Sequence, residues 1–458
     1  MFPFSLDQIL VIVYFLVTLG FGFYKKSGTD INSFLFAGRK LTLPALVATL
    51  VSTWYGGILE IGRFSYQNGI VTWIIFGFFY YIAALLFVKF IVPKIIHSKI
   101  PTIPDLFNNS FGRWPAFISI ICVLLMATPA PYLKILADLL NYIWNIPKMG
   151  GLFIGATLSL SYAFTGGFSA IVRTDKLQFI LMFIGFALIL SASYSQYGGI
   201  PYLINNTPNY AFQIPGNFNW TYICVWGFIA LITFIDPSFY QRTFSGNSLK
   251  TVQKGIYVSV LFWILFDFMT VFTGIYALAI LPIESTNPYL DLSQHVLSPI
   301  GQGLFIVSLF AIVMSTIDSF SFISAFTIGK NLMPLLVNTK DENTILYYTK
   351  WGLGITTLVS ITLAMLFEHV VDIWYMVGSF TVPTLLIPLI AGLHNIKLKN
   401  TFIVMSIPML TSITWYLCGI MNQSMNIFTI LDPMYPGILI SLILFLININ
   451  HQHHHKAL

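Results

Sequence analysis

The chain has 458 residues, of which 57% are hydrophobic, 16% aromatic and 8% charged. Soluble domains carry roughly a quarter charged residues, and the mean hydropathy here is +0.82. These figures exclude a soluble enzyme, a nucleic-acid-binding protein and a disordered chain. The net charge of +6 matters through its placement. Cys122, Cys224 and Cys418 sit inside apolar runs with no CxxC spacing, so they read as small hydrophobes.

A helix that crosses a bilayer needs about 20 mostly apolar residues. Thirteen such spans are predicted in chain order: 5–24, 42–61, 70–93, 114–143, 150–164, 176–197, 220–246, 254–281, 300–329, 350–367, 371–393, 401–420 and 436–449. The first has neither a basic start nor a small-residue cleavage site, so it is expected to be retained. A closed barrel is excluded, because its strands are about ten residues of alternating polarity. Of the 22 basic residues, 18 fall in one alternate set of loops, from Lys25, Lys26, Arg39 and Lys40 through to Lys397 and Lys399 and the tail; the other set holds only Arg63 and Lys148. The positive-inside rule therefore puts the N-terminus outside and the tail 450–458 in the cytoplasm.

Within lipid a helix may break only where protein buries the break or where it lines a cavity. Span two carries Ser52, Trp54, Tyr55 and the pair Gly56-Gly57 near its middle, a pattern expected for an unwound segment. Span seven carries Asp236-Pro237, and proline biases its predecessor away from helix. Two interrupted spans five apart predict two five-helix inverted repeats, 42–197 (spans two to six) and 220–393 (spans seven to eleven), with binding at the breaks. Residues 1–41 then hold the first span and a cytoplasmic loop, and 400–449 the last two spans. Close packing at Gly-Gly and a simple proline kink are the competing explanation.

Span nine reads Met314-Ser315-Thr316-Ile317-Asp318-Ser319. On a helix Ser315, Asp318 and Ser319 share a face, and oxygen ligands of this kind suit an alkali cation rather than a transition metal. In span four, Lys134 and Asp138 stand four apart and are read as a structural ion pair or a solute contact. Asp267 in span eight is an isolated acid, a relay residue or a neutral hydrogen-bonded side chain. No Walker loop, HExxH or GxSxG is present, so neither ATP-driven pumping nor enzymatic catalysis is expected.

Three stretches resemble the sodium:solute symporter family. They are Tyr162-Ala163-Phe164-Thr165-Gly166-Gly167 through Thr174-Asp175-Lys176-Leu177-Gln178, the pair Gln241-Arg242 after Asp236-Pro237, and Met314–Ser319. The resemblance implies an all-α membrane protein of the LeuT-like kind, one transporter domain over 1–458. It implies a sodium site made by the carbonyls of Ser52, Tyr55 and Ile312 and the hydroxyls of Ser315 and Thr316. A second ion position would involve Asp175, Ser315, Asp318 and Ser319. Asp318 stands where sialic acid carriers of the family have a hydroxyl, and Leu59 stands where sugar carriers have a polar contact. Trp54, Tyr55, Asp236, Phe78 and Phe79 are expected to contact the solute.

The expected function is sodium-coupled import of a small organic solute at the plasma membrane. No nucleic acid or obligate protein partner is implied. A proton-coupled carrier on the same fold and a solute sensor that does not transport are the alternatives.

Overall fold

A chain this apolar has to bond its backbone N–H and C=O groups within its own helices. The computed structural model follows that rule. It describes residues 5–26, 28, 30–282, 285–339, 341–366, 370–421 and 427–449, and apart from two isolated bridges its regular structure there is helical. The expected cytoplasmic tail, 450–458, lies outside the described residues. Ten described helices are long and apolar enough to cross a membrane, and eleven when one bent pair is taken as a single span.

The elements that build the site are named in chain order. Helix α1 is Leu6–Phe23, α2 Leu43–Trp54, α3 Ile58–Asn68, α4 Phe79–Phe90 and α5 Ala130–Trp144. Helix α6 is Lys148–Tyr197, α7 Pro237–Ser245, α8 Leu249–Ile280, α9 Pro299–Phe326, α10 Val370–Leu393, α11 Thr401–Met421 and α12 Met434–Asn448. The difference from thirteen spans lies in α6 and α12. At 50 residues, α6 would be about 75 Å long as one rod, far more than a bilayer's hydrocarbon thickness. It breaks at Gly167, with φ +53°, where a Cβ would stand 2.5 Å from the carbonyl oxygen of Phe34. Helix α6 thus occupies both the fifth and the sixth predicted spans. Helix α12 has 15 residues, shorter than a full crossing.

The second predicted span is broken. Helix α2 ends at Trp54, α3 begins at Ile58, and the two are bent by 59°. Gly56 explains why the break can sit where it does: a Cβ there would stand 2.6 Å from Thr316 on α9. The seventh span is interrupted too. It runs helically from Trp220 to Ile229, tightens to a 3₁₀ turn over Ala230–Phe234 and restarts at Pro237. Asp236 caps the restart, accepting the Ser238 N–H at 2.6 Å, which is the usual way an acidic side chain satisfies an orphan donor at a helix start.

Helix α9 is buried on all sides over much of its length: from Phe305 to Ser319 every residue is buried. A helix of that kind belongs in the middle of a bundle. Helix α11 is the opposite case, with Leu410, Leu417 and Met421 exposed. That apolar surface is what a lipid-facing helix presents.

Candidate ion and solute site

The break in α2–α3 meets α9 at a row of hydroxyls. Thr316 Oγ1 donates to the carbonyl of Thr53 at 2.9 Å and lies 3.3 Å from the carbonyl of Ile312. Ser315 Oγ donates to Asp175 Oδ1 at 2.7 Å and lies 2.9 Å from Ser52 Oγ. Asp175 comes from the second half of α6 and also accepts the hydroxyl of Thr49. Thr49 and Ser52 both belong to α2. Three elements distant in sequence therefore bring hydroxyl, carbonyl and carboxylate oxygens to one crevice. All of Ser52, Asp175, Ser315 and Thr316 are fully buried.

The guanidinium of Arg242, from α7, enters the same crevice. Its Nη2 donates to Thr53 Oγ1 at 2.7 Å, Ser319 Oγ at 2.9 Å and Thr49 Oγ1 at 3.0 Å. It stands 4.0 Å from Asp175. A charge taken out of water is costly unless paired and hydrogen-bonded, and both members of this pair meet that condition.

The sequence pattern groups Asp318 with Asp175, Ser315 and Ser319. In the structure its partner is Tyr162 on the first half of α6, while Oδ1 has no hydrogen-bond partner among the described residues. Ser319 is a partner of Arg242 and Thr53. Asp175 and Ser315 are brought together directly; Asp318 and Ser319 leave α9 about 100° apart, as neighbours on a helix must.

Beside this crevice lies a cavity of about 160 Å³ whose walls include Thr53, Trp54, Tyr55, Asp236 and Asp267. Two groups of rings line it. Trp54 packs edge-on against Tyr80, with centroids 5.3 Å apart, and Tyr132 packs against Trp374 at 6.3 Å. Phe78 and Phe79 are not on its wall; span three presents Phe76 and Tyr80 instead. The reason is local. Residues Ile74–Phe78 form a π turn, which widens the helix and turns Phe78 outward, 40% exposed. Asp267 accepts the hydroxyl of Tyr81, whose oxygen takes the Trp73 indole N–H at 3.2 Å. Asp138 pairs with Lys148 at 3.3 Å, and Arg63 with Glu60 at 2.9 Å.

Thr49, Thr53 and Arg242 have no site role in the sequence analysis. The signal for the two threonines was present: Thr49, Ser52 and Thr53 are spaced i, i+3, i+4, one polar stripe on an apolar helix. Arg242 is marked in the sequence only by the Gln241-Arg242 pair, which says nothing of its partners, because they lie far away along the chain.

Comparison with known proteins agrees with this fold. The chain is 25% identical to sodium/glucose cotransporter 4 of Mus musculus over 68% of its own length and 53% of that protein's. It therefore spans about half the length of that relative. It is 22% identical to the high-affinity choline transporter 1 of Drosophila melanogaster over 86% of its length and 67% of that protein's. In fold it superposes on a Na+-coupled sialic acid symporter with a TM-score of 0.79 at 16% identity, covering 97% of this chain and 98% of that one. These relatives are transporters, not enzymes. The model of the sodium:solute symporter family matches residues 34–393, and the chain belongs to that family.

Proposed function

We propose that the protein is a sodium-coupled secondary active symporter that imports a small organic solute across the plasma membrane by alternating access. The observation that carries this reading is the meeting of the broken α2–α3 segment with Ser315 and Thr316, where Thr316 Oγ1 reaches the Thr53 carbonyl at 2.9 Å. A break frees backbone carbonyls that a continuous helix would use up, and hard oxygen ligands suit an alkali ion. Sodium would be held by the carbonyls of Ser52, Tyr55 and Ile312 and the hydroxyls of Ser315 and Thr316. A second cation would use Asp175, Ser315, Asp318 and Ser319 once the Arg242 guanidinium withdraws from Ser319 and the Tyr162 hydroxyl from Asp318. The solute would lie between Trp54, Tyr55 and Asp236, with Phe76 and Tyr80 in the role expected of Phe78 and Phe79.

In this reading spans two to six and seven to eleven are the two repeats, the N-terminus is outside and the tail cytoplasmic. Sodium entry releases about 2.3 kcal/mol per charge per 100 mV of membrane potential, in addition to its concentration gradient. Ion and solute each favour the state that binds the other, by the same factor. Binding of ²²Na⁺ to the purified protein tests the site without knowledge of the solute. In the double variant Ser315→Ala/Thr316→Ala the half-saturating sodium concentration is expected to rise about ten-fold or more, the loss of roughly 1.4 kcal/mol or more of ligand interaction. Unaltered sodium binding in that variant overturns the assignment.

A further inference from the structure

The cavity wall has an unbalanced chemistry. Asp236 and Asp267 are on it, and no lysine, arginine or histidine is among its described lining residues. Arg242 is off that wall: its Nη2 is spent on Thr49, Thr53 and Ser319 and stands 4.0 Å from Asp175, while Nη1 points to the Ser238 carbonyl at 3.5 Å and its charge reaches Asp236 only from behind the wall. Only one oxygen of Asp236, Oδ1, is committed to the cap of α7, and the residue is partly exposed where its helix neighbours are buried. Asparagine, glutamine and glutamate are absent from the described lining as well. The hydroxyls on it are those of Thr53, Tyr55, Tyr80, Thr128, Tyr132 and Ser238, and those of Thr53 and Tyr55 are already taken up by Arg242 and the Trp263 carbonyl. A free carboxylate solute would meet two acidic side chains and no base on that wall. What the wall does offer is ring faces and edges, from Trp54, Tyr80, Tyr132 and Trp374. Aromatic rings with a nearby carboxylate suit a cation that is too large to be held by oxygen ligands alone.

We infer that the transported solute is a small organic ammonium ion, its cationic head seated among Trp54, Tyr80, Tyr132 and Trp374 and paired with Asp236. The inference rests on the symport reading above and names the class of solute for that site. The volume fits it: about 160 Å³ is below the 300–1,000 Å³ usual for pockets that hold drug-sized ligands.

The test uses the full-length purified protein and tryptophan fluorescence, since Trp54 and Trp374 border the cavity. The probes are choline, its uncharged carbon isostere 3,3-dimethylbutan-1-ol, proline and glucose, each titrated in sodium chloride and in potassium chloride. Choline is expected to bind about ten-fold or more tightly than the isostere, and more tightly in sodium than in potassium. Asp236→Asn keeps the cap, because asparagine caps as well as aspartate; it is expected to lose about ten-fold in choline affinity with no change toward the isostere. Equal binding of choline and its isostere, or tighter binding of glucose or proline, overturns the organic-cation inference and leaves sodium coupling standing. Choline binding that is indifferent to sodium overturns the symport reading instead. Should Asp236→Asn fail to fold, the wild-type comparison of choline with its isostere decides alone, and Trp54→Phe is expected to narrow that difference.

Discussion

The hydroxyl-lined crevice and the aromatic cavity meet at Thr53, yet they treat buried charge in opposite ways. In the crevice, Asp175 is answered by Ser315, Thr49 and the Arg242 guanidinium. In the cavity, Asp236 and Asp267 line open space with no basic side chain among the described lining residues. Both arrangements obey the same rule, that a charge removed from water has to be compensated. The crevice supplies that compensation from within the protein, so it is tight and cross-linked. The described wall of the cavity supplies none of it from a basic side chain. On the proposed function, the difference separates a position where helices are fastened together from one that would receive a solute.

The largest expected effect comes from breaking the crevice. Arg242→Met leaves Asp175 buried without its counter-charge and takes a donor from Thr49, Thr53 and Ser319. Removing one partner of a buried pair costs about 3–5 kcal/mol, so the melting point in detergent is expected to fall by several degrees. The double variant Arg242→Met/Asp175→Asn should recover most of the loss, and failure to recover would show that the guanidinium acts by packing rather than charge. A smaller effect is expected where the two regions join. Gly56→Ala drives a methyl group to 2.6 Å from Thr316, and overpacking of this kind costs about 1–3 kcal/mol. Calorimetry should register that cost, and ²²Na⁺ binding should weaken with it because Thr316 is pushed aside.

The smallest effect is expected on the cavity side. Tyr81→Phe removes the hydroxyl that Asp267 accepts, but Asp267 borders open space, so the loss should be about 1 kcal/mol. The contrast with Arg242→Met is the point of the pair. If Tyr81→Phe proved as damaging as Arg242→Met, the cavity would be a closed structural core like the crevice, and a solute site there would lose its physical basis.

Much of this was legible along the chain. The interruptions at Gly56-Gly57 and Asp236-Pro237 announce themselves through residue types whose backbone behaviour is local. Ser315 and Thr316 stood out because hydroxyls beside a carboxylate are rare in an apolar helix. Phe78 and Phe79 show where such reading ends. Their sequence neighbourhood is as aromatic as that of Phe76 and Tyr80, and the π turn at Ile74–Phe78 changes which of them face inward. Asp318 is a second case: helix geometry puts it near Ser315, but Tyr162, more than 150 residues earlier, takes up its carboxylate.

What the sequence alone determined is the all-helical, membrane-crossing character of the chain, the places where helices break and the oxygen-bearing side chains nearest them. These follow from interactions within a few residues: apolar run length, glycine and proline backbone limits, and helical spacing. Only the tertiary structure decided that Arg242 pairs with Asp175, that Thr49 and Thr53 complete the crevice, and that two acids face an aromatic cavity without a base. Those are contacts between residues far apart in the chain, and no local pattern records which charge will be answered by which.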